Sequence, residues 1–320
     1  MNQILTRREM LQRCGCGFGY LAFSSIFASI AQSHAATNPL AVRPPHFAPR
    51  ARRVIFLFMP GGPSHVDTFD YKPALQRDAE KSPPSSAGGP GKLMPSPFAF
   101  HRCGQSGLEI SEIFPEIGKC ADDLCLIRGM HTNGQDHSQA ILKLHTGSEN
   151  QTRPSVGSWV LYGLGSRSEN LPGFITITPS MIAGGAQLYG SAFLPAVYQG
   201  TPITGQAGAA LSQAQIRHIK GDLPADLQRQ QLDFVQSLNR AHLARTGGDD
   251  QIESVIESYE LAFRMQTEAP EVMDLSREPA EMLEMYGVDR TPTDNFARQC
   301  LLARRLAEKG VRFIQLNHNF

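Results

Sequence analysis

The stretch Arg52-Arg53-Val54-Ile55-Phe56-Leu57-Phe58-Met59-Pro60-Gly61-Gly62-Pro63-Ser64-His65-Val66-Asp67 decides the fold. Val54 to Met59 is an unbroken apolar run of β-formers, the right length for a strand buried on both faces, as in a parallel sheet. Pro60-Gly61-Gly62-Pro63 stops it abruptly. In open α/β sheets the loops at the carboxyl ends of such strands build the ligand site. The polar residues directly after Met59 are therefore the first place to look for function.

Working outward, the same kind of run recurs. Leu124-Cys125-Leu126-Ile127, Phe174-Ile175-Thr176-Ile177 (closed by Pro179) and Val311 to Leu316 complete four predicted strands, near 54–59, 124–127, 174–177 and 311–316. Helical patterns lie between them. One covers Ser111 to Cys120, and a shorter one runs from Ser138 to Leu144 and ends before Gly147. A long one spans Asp226 to Met265, with Leu232, Val235, Leu238 and Leu243 on its apolar side and a break at Gly247-Gly248. Asp294 is expected to cap a last helix that ends at Gly310. Residues 81–97 hold five Pro and three Gly and read as a surface loop, and Gly184 to Gly208 resembles no regular element. Strands alternating with helices predict an α/β fold, a three-layer α/β/α domain over residues 51–320. The last strand is the last element, so one edge or face of the sheet is expected to expose apolar surface.

Thirty Lys+Arg balance thirty Asp+Glu, which leaves no net field to draw in nucleic acid or an anionic membrane. One Trp argues against a stacking platform for single strands. Nucleic acid is excluded as the default partner.

Residues 1–36 read as a targeting segment. Arg7-Arg8 precedes a weakly apolar run from Cys14 to Ala31, too rich in Gly and Ser for a comfortable membrane span. Ser33-His34-Ala35-Ala36 then offers a cleavage site. The pattern is similar to a bacterial twin-arginine signal, which implies periplasmic or secreted protein with no transmembrane anchor after cleavage. Residues 37–50, with Pro39, Pro44, Pro45 and Pro49, read as a linker. Cleavage leaves Cys103, Cys120, Cys125 and Cys300, which permit three full pairings, and none is assigned. Cys125 sits in an apolar run and is expected to be a buried thiol.

Two polar loops carry the chemistry. In the first, Gly61 to Asp70, His65 and Asp67 stand two apart. In an extended segment they project to one side and could share an ion. The second, Arg128 to Ser138, runs into a helix whose N-terminus offers free N–H groups to an anion. It contributes His131, Asp136 and His137, with His145 further on. The plainer reading is that both loops are turns with capping side chains, Asp136 being a normal N-cap.

At these residues the chain resembles the domain-of-unknown-function family 1501. The resemblance rests on Gly61 to Asp70 with Lys72-Pro73, Pro95-Ser96-Pro97-Phe98, Gly104-Gln105-Ser106-Gly107 and Glu112-Ile113-Phe114-Pro115. Asp123-Leu124-Cys125, Arg128-Gly129-Met130-His131-Thr132, His137-Ser138, Thr146-Gly147 and Gly310-Val311-Arg312-Phe313 add to it. It implies an alkaline-phosphatase-like core, beside the sulfatases and phosphatases. With that core come a divalent metal (Zn, Ca or Mg), an anionic phosphoric or sulfuric ester as ligand, and hydrolase-like chemistry in which metals clamp the ester oxygens. His65, Asp67 and His131 are the metal-ligand candidates. Asp136-His137-Ser138 followed by Thr146-Gly147 resembles the nucleophile turn of alkaline phosphatases, with His137 in the nucleophile position. In the family a Trp-Asp-x-His segment follows the Gly-Val-Arg-Phe strand, whereas this sequence ends at His318-Asn319-Phe320. The resemblance therefore implies a core incomplete at its C-terminus. A non-catalytic exported binding protein, or an inactive fragment, stands as the alternative to a hydrolase.

Overall fold

A computed structural model describes residues 38–83, 91–133, 136–177, 184–204, 215–216, 219, 223–246 and 250–317. The segment expected to be a targeting signal, the centre of the 81–97 loop, the end of the glycine-rich stretch, the break at Gly247-Gly248 and residues 318–320 lie outside the described residues.

The chain opens with β1 (Val54–Phe58), followed by the short helices α1 (His65–Thr68) and α2 (Pro73–Arg77). A hairpin of β2 (Phe100–Cys103) and β3 (Leu108–Ser111) precedes α3 (Pro115–Gly118), α4 (His137–Thr146) and α5 (Val156–Leu164). Then come β4 (Phe174–Ile177), β5 (Thr201–Thr204) and β6 (Gln215–Ile216). The helices α6 (Ala225–Thr246), α7 (Asp250–Met273), α8 (Ala280–Tyr286) and α9 (Asp294–Glu308) lead into β7 (Phe313–Asn317).

The fold is α/β. The main sheet has the order β1-β7-β4-β5-β6, parallel throughout except for β6. β7 is inserted between β1 and β4, with Ile314 level with both Ile55 and Ile175. All five of its residues are buried, the polar Gln315 and Asn317 included, as the central position of the strand requires. One sheet face buries Ile175, Ile177, Ile203, Ile314 and Leu316 under Leu302, Ala303 and Leu306 of α9 and Met265, Ala269 and Val272 of α7. The opposite face buries Phe174 and Phe313 under Leu161 of α5, with Val197 and Tyr198. Arg312 enters this packing and donates from Nε to the Gly165 carbonyl (2.8 Å) and from a terminal nitrogen to that of Leu164 (3.2 Å). A guanidinium thus satisfies the open C-terminus of α5.

Three of the four expected strands pair in this sheet; the fourth does not. Residues 124–127 form no strand, and Leu124, Leu126 and Ile127 are 42%, 36% and 66% exposed. Apolar β-formers report a fit to a pleated surface but cannot supply a ladder partner, and both sides of β7 are taken by β1 and β4. Cys125 is accordingly exposed rather than buried, and Cys103, Cys120, Cys125 and Cys300 are free thiols. The helix expected over Ser111–Cys120 is confined to α3 because Ser111 closes the β2–β3 hairpin. That hairpin turns on Gly104 (φ +66°) and Gly107 (φ +65°). Asp122 accepts from the amides of Gln105 (2.9 Å) and Ser106 (2.7 Å), and a Cβ on Gly104 would strike this carboxylate. The N-cap of α9 is Thr293, not Asp294; Asp294 begins the helix and accepts instead from the Asp289 amide and from Arg298. The stretch beginning at Gly184 contains two 3-10 turns, Gly185–Leu188 and Ala196–Tyr198, and the strand β5.

β1 is an edge strand. Val54, Ile55 and Leu57 are 41%, 42% and 55% exposed, so this strand is not buried on both faces as expected, and the last strand, β7, is central rather than an uncovered edge. Residues 38–43 are more than a linker: Leu40 is buried beside Leu161, and Arg43 donates to the Tyr162 carbonyl (2.6 Å).

Candidate functional site

The parallel strands end together at Phe58, Asn317, Ile177 and Thr204, and the loop after β1 leaves from that edge. Gly61 (φ +95°) and Gly62 (φ +68°) take left-handed conformations that let the chain reverse within four residues. Beyond them Ser64 starts α1, a single helical turn.

That turn changes the expected geometry of His65 and Asp67. Two residues apart on a helix, side chains diverge instead of sharing one side. His65 points outward, 75% exposed, with Nε2 3.9 Å from Oδ2 of Asp70. Asp67 accepts from the hydroxyls of Ser96 and Ser64, which, helped by the nearby His65, hold its carboxyl below the usual aspartate range.

Asp70 organises the loop. Its carboxylate is buried and lies 2.8 Å from Lys72 Nζ and 3.9 Å from Arg128 Nε. Lys72 first, then His65 and Arg128, hold its carboxyl below the ordinary value. Arg128 belongs to the second loop, so this buried anion ties the two loops together. Neither Asp70 nor Arg128 stands out as a site residue in sequence, because 57 residues separate them and no local pattern links them. The only sequence signal was Lys72 two positions after Asp70.

The second contact between the loops is made by α4. Asp136 caps it, accepting from the Ser138 amide at 2.8 Å as expected of an N-cap. His137 follows and stands against Gly62, where an added Cβ would lie 3.5 Å from its Cε1. Both loops were expected to follow buried strands, but residues 124–127 are no strand. The approach comes instead through α4, which touches β1 by His145 near its C-terminal end. His145, at the far end of α4, is buried and packs edge-on against Phe58 (4.8 Å) and Phe56 (5.4 Å). Its Nδ1–H donates to the Ile141 carbonyl at 2.8 Å, and burial holds its pKa below the usual histidine value. His145 is thus a packing residue of the sheet face.

His131 lies in an exposed irregular segment with Met130, which is 72% exposed. Among the described residues, no three His, Cys, Asp or Glu side chains converge closely enough to hold a metal ion. His65, Asp67, His131 and His137 are not gathered into such a set among the described residues. What the site does assemble is a pair of cations, Lys72 and Arg128, with the His65 ring, around one buried carboxylate.

A parallel sheet covered by helices, with paired polar loops at its carboxyl edge, defines an α/β protein of the open-sheet class. The chain belongs to the family described as "Protein of unknown function (DUF1501)", whose model matches residues 51–320. No curated protein and no solved structure matches it. No described helix is long and apolar enough to cross a membrane.

Proposed function

We propose that this chain is an exported protein that binds an anionic ester, of the phosphate or sulfate monoester class, at the carboxyl edge of its sheet. Export rests on the twin-arginine pattern at Arg7-Arg8. The binding reading rests on one observation: Asp70 draws Lys72 and Arg128 from separate loops to one place. Their side chains are 47% and 40% exposed, so both ammonium and guanidinium can still meet a ligand. Asp70 neutralises part of their charge and holds them in position, which suits weak, reversible capture of a dianion. His137, lodged against Gly62, is the group we place nearest the ester. The resemblance to metal-dependent hydrolases accounts for the ligand class. The proposed role is binding, carried by these two cations and needing no metal.

Titration calorimetry of the full chain with phenyl phosphate and phenyl sulfate, with and without added Zn, Ca or Mg, tests this. Saturable binding that Lys72→Ala and Arg128→Ala each weaken at least tenfold is expected, with no ester cleavage above the blank. Absence of binding to either ester overturns the proposal. Cleavage that depends on an added metal overturns its non-catalytic half.

A further inference from the structure

We propose that the apolar run Cys14–Ala31, which precedes the folded domain in the same chain, docks on an aromatic patch of α5. The inner face of α5 buries Gly157, Ser158 and Leu161, with Leu161 packed among Phe174 and Phe313 of the sheet. Its outer face carries Val156, Trp159 and Tyr162, which are 46%, 45% and 40% exposed, and Phe193 beside them is 67% exposed. Trp159 meets Phe193 edge-on at 5.8 Å and Tyr162 at 5.9 Å, so the three rings form one surface. Tyr198 continues it, edge-on to Tyr162 at 5.4 Å. Single exposed aromatic side chains are normal, but a contiguous open cluster of them marks a place where something binds.

The path of the chain identifies the occupant. Residues 38–43 are fixed at the margin of the patch. There the Tyr198 hydroxyl donates to the Pro39 carbonyl (3.1 Å), and the Arg43 guanidinium lies over the Tyr162 ring (5.5 Å). Gly165 (φ +68°) admits this arm, because a Cβ there would strike the Ala41 carbonyl. Residue 37 therefore joins the domain beside Tyr198 and Tyr162. Trp159 is two ring steps from Tyr198, and the seven residue steps from Asn38 back to Ala31 span up to about 25 Å when extended. No charged residue stands between Cys14 and Ala31, so the run can cover apolar rings without desolvating a charge. Within it Phe23, Ile26, Phe27 and Ile30 recur at the spacing of one helix face, an apolar stripe suited to an apolar patch. A segment tethered this closely meets the patch at an effective concentration of about millimolar order, which favours it over a second copy or a separate protein.

Trp159 is the one tryptophan of the chain, so its fluorescence reads the patch directly. The comparison is between the full chain and the full-length variant carrying Phe23→Ser with Phe27→Ser. In the unaltered chain the emission should lie at shorter wavelength, and acrylamide should quench it at least twofold less. The difference should persist through a hundredfold dilution, as a contact within one chain must. Phe193→Ser and Val156→Ser, both on the open surface, should each speed chymotrypsin cleavage after Phe23 and Phe27 at least threefold, with circular dichroism unchanged. Equal quenching of Trp159 in the two proteins overturns the proposal. Shielding that disappears on dilution also overturns it and assigns the patch to a second copy. So do cleavage rates that neither patch substitution moves.

Discussion

Asp70 Oδ1 and Arg128 Nε stand 3.9 Å apart, and this pair joins two segments that no secondary-structure element connects. The carboxylate is buried whereas the guanidinium is partly exposed, so the carboxylate is the group that depends on the pairing. Asp70→Asn keeps the shape and removes the charge. It should destabilise the chain by about 1 kcal/mol, a modest figure because the cations left behind remain hydrated. Urea denaturation reads this directly. The folded-state pKa of Asp70 is depressed, so its contribution is present above about pH 4 and is lost as pH falls through the folded value. The same variant should bind phenyl phosphate more tightly, because Lys72 and Arg128 are no longer compensated. Weaker binding by Asp70→Asn would mean that positioning outweighs charge at this site.

Gly62→Ala tests the close approach of the first loop to α4. At φ +68° a Cβ is strained by about 1 kcal/mol, and it would stand 3.5 Å from His137 Cε1. A loss of about that size, with a changed His137 ring resonance in a proton–carbon spectrum, is expected. Gly61→Ala has a comparable strain but nothing within reach of its Cβ, so it should leave the His137 signal unmoved.

His145 makes stability depend on pH. Its folded-state pKa is depressed by burial, so below about pH 6.5 the unfolded chain binds a proton that the native chain refuses. Stability should fall as pH drops from 7 toward 5, by at most about 1.4 kcal/mol per pH unit for this one group. His145→Phe, between Phe56 and Phe58, should flatten that slope. Thermal melts of both proteins at pH 7 and pH 5 provide the comparison, and parallel slopes would sink the assignment.

Ile55 and Ile314 are level with each other on neighbouring strands and differ in burial, 42% exposed against fully buried. Ile314→Ala should cost about 2–5 kcal/mol, the range for a core cavity, while Ile55→Ala should cost less than about 1 kcal/mol. Equal losses from the two would contradict the edge position of β1.

The runs at 174–177 and 313–316 could be read as strands because most of their buried residues are apolar, Thr176 and Gln315 excepted; Val54–Phe58 was legible from the same composition and is a half-exposed edge strand. Leu124–Ile127 has the same composition and is exposed. A strand exists only where another strand supplies hydrogen bonds, and that partner is not encoded in the run itself. The capping of α4 by Asp136 and its end at Gly147 (φ +76°) were equally local, and the structure has both. The order of the sheet was not local: β7, last in the chain, lies between β1 and β4 because its two faces match the helices on either side. The candidate site divides in the same way. Its residues were visible as two polar loops, and the family resemblance ran through both. Which of them meet was decided by tertiary packing: Asp70 with Arg128 through a buried charge, and His137 with Gly62 because His145 seats α4 against Phe56 and Phe58. The one helical turn at His65–Thr68 sent His65 and Asp67 in different directions. A two-residue spacing carries opposite meanings in strand and helix, and only the folded backbone chooses between them.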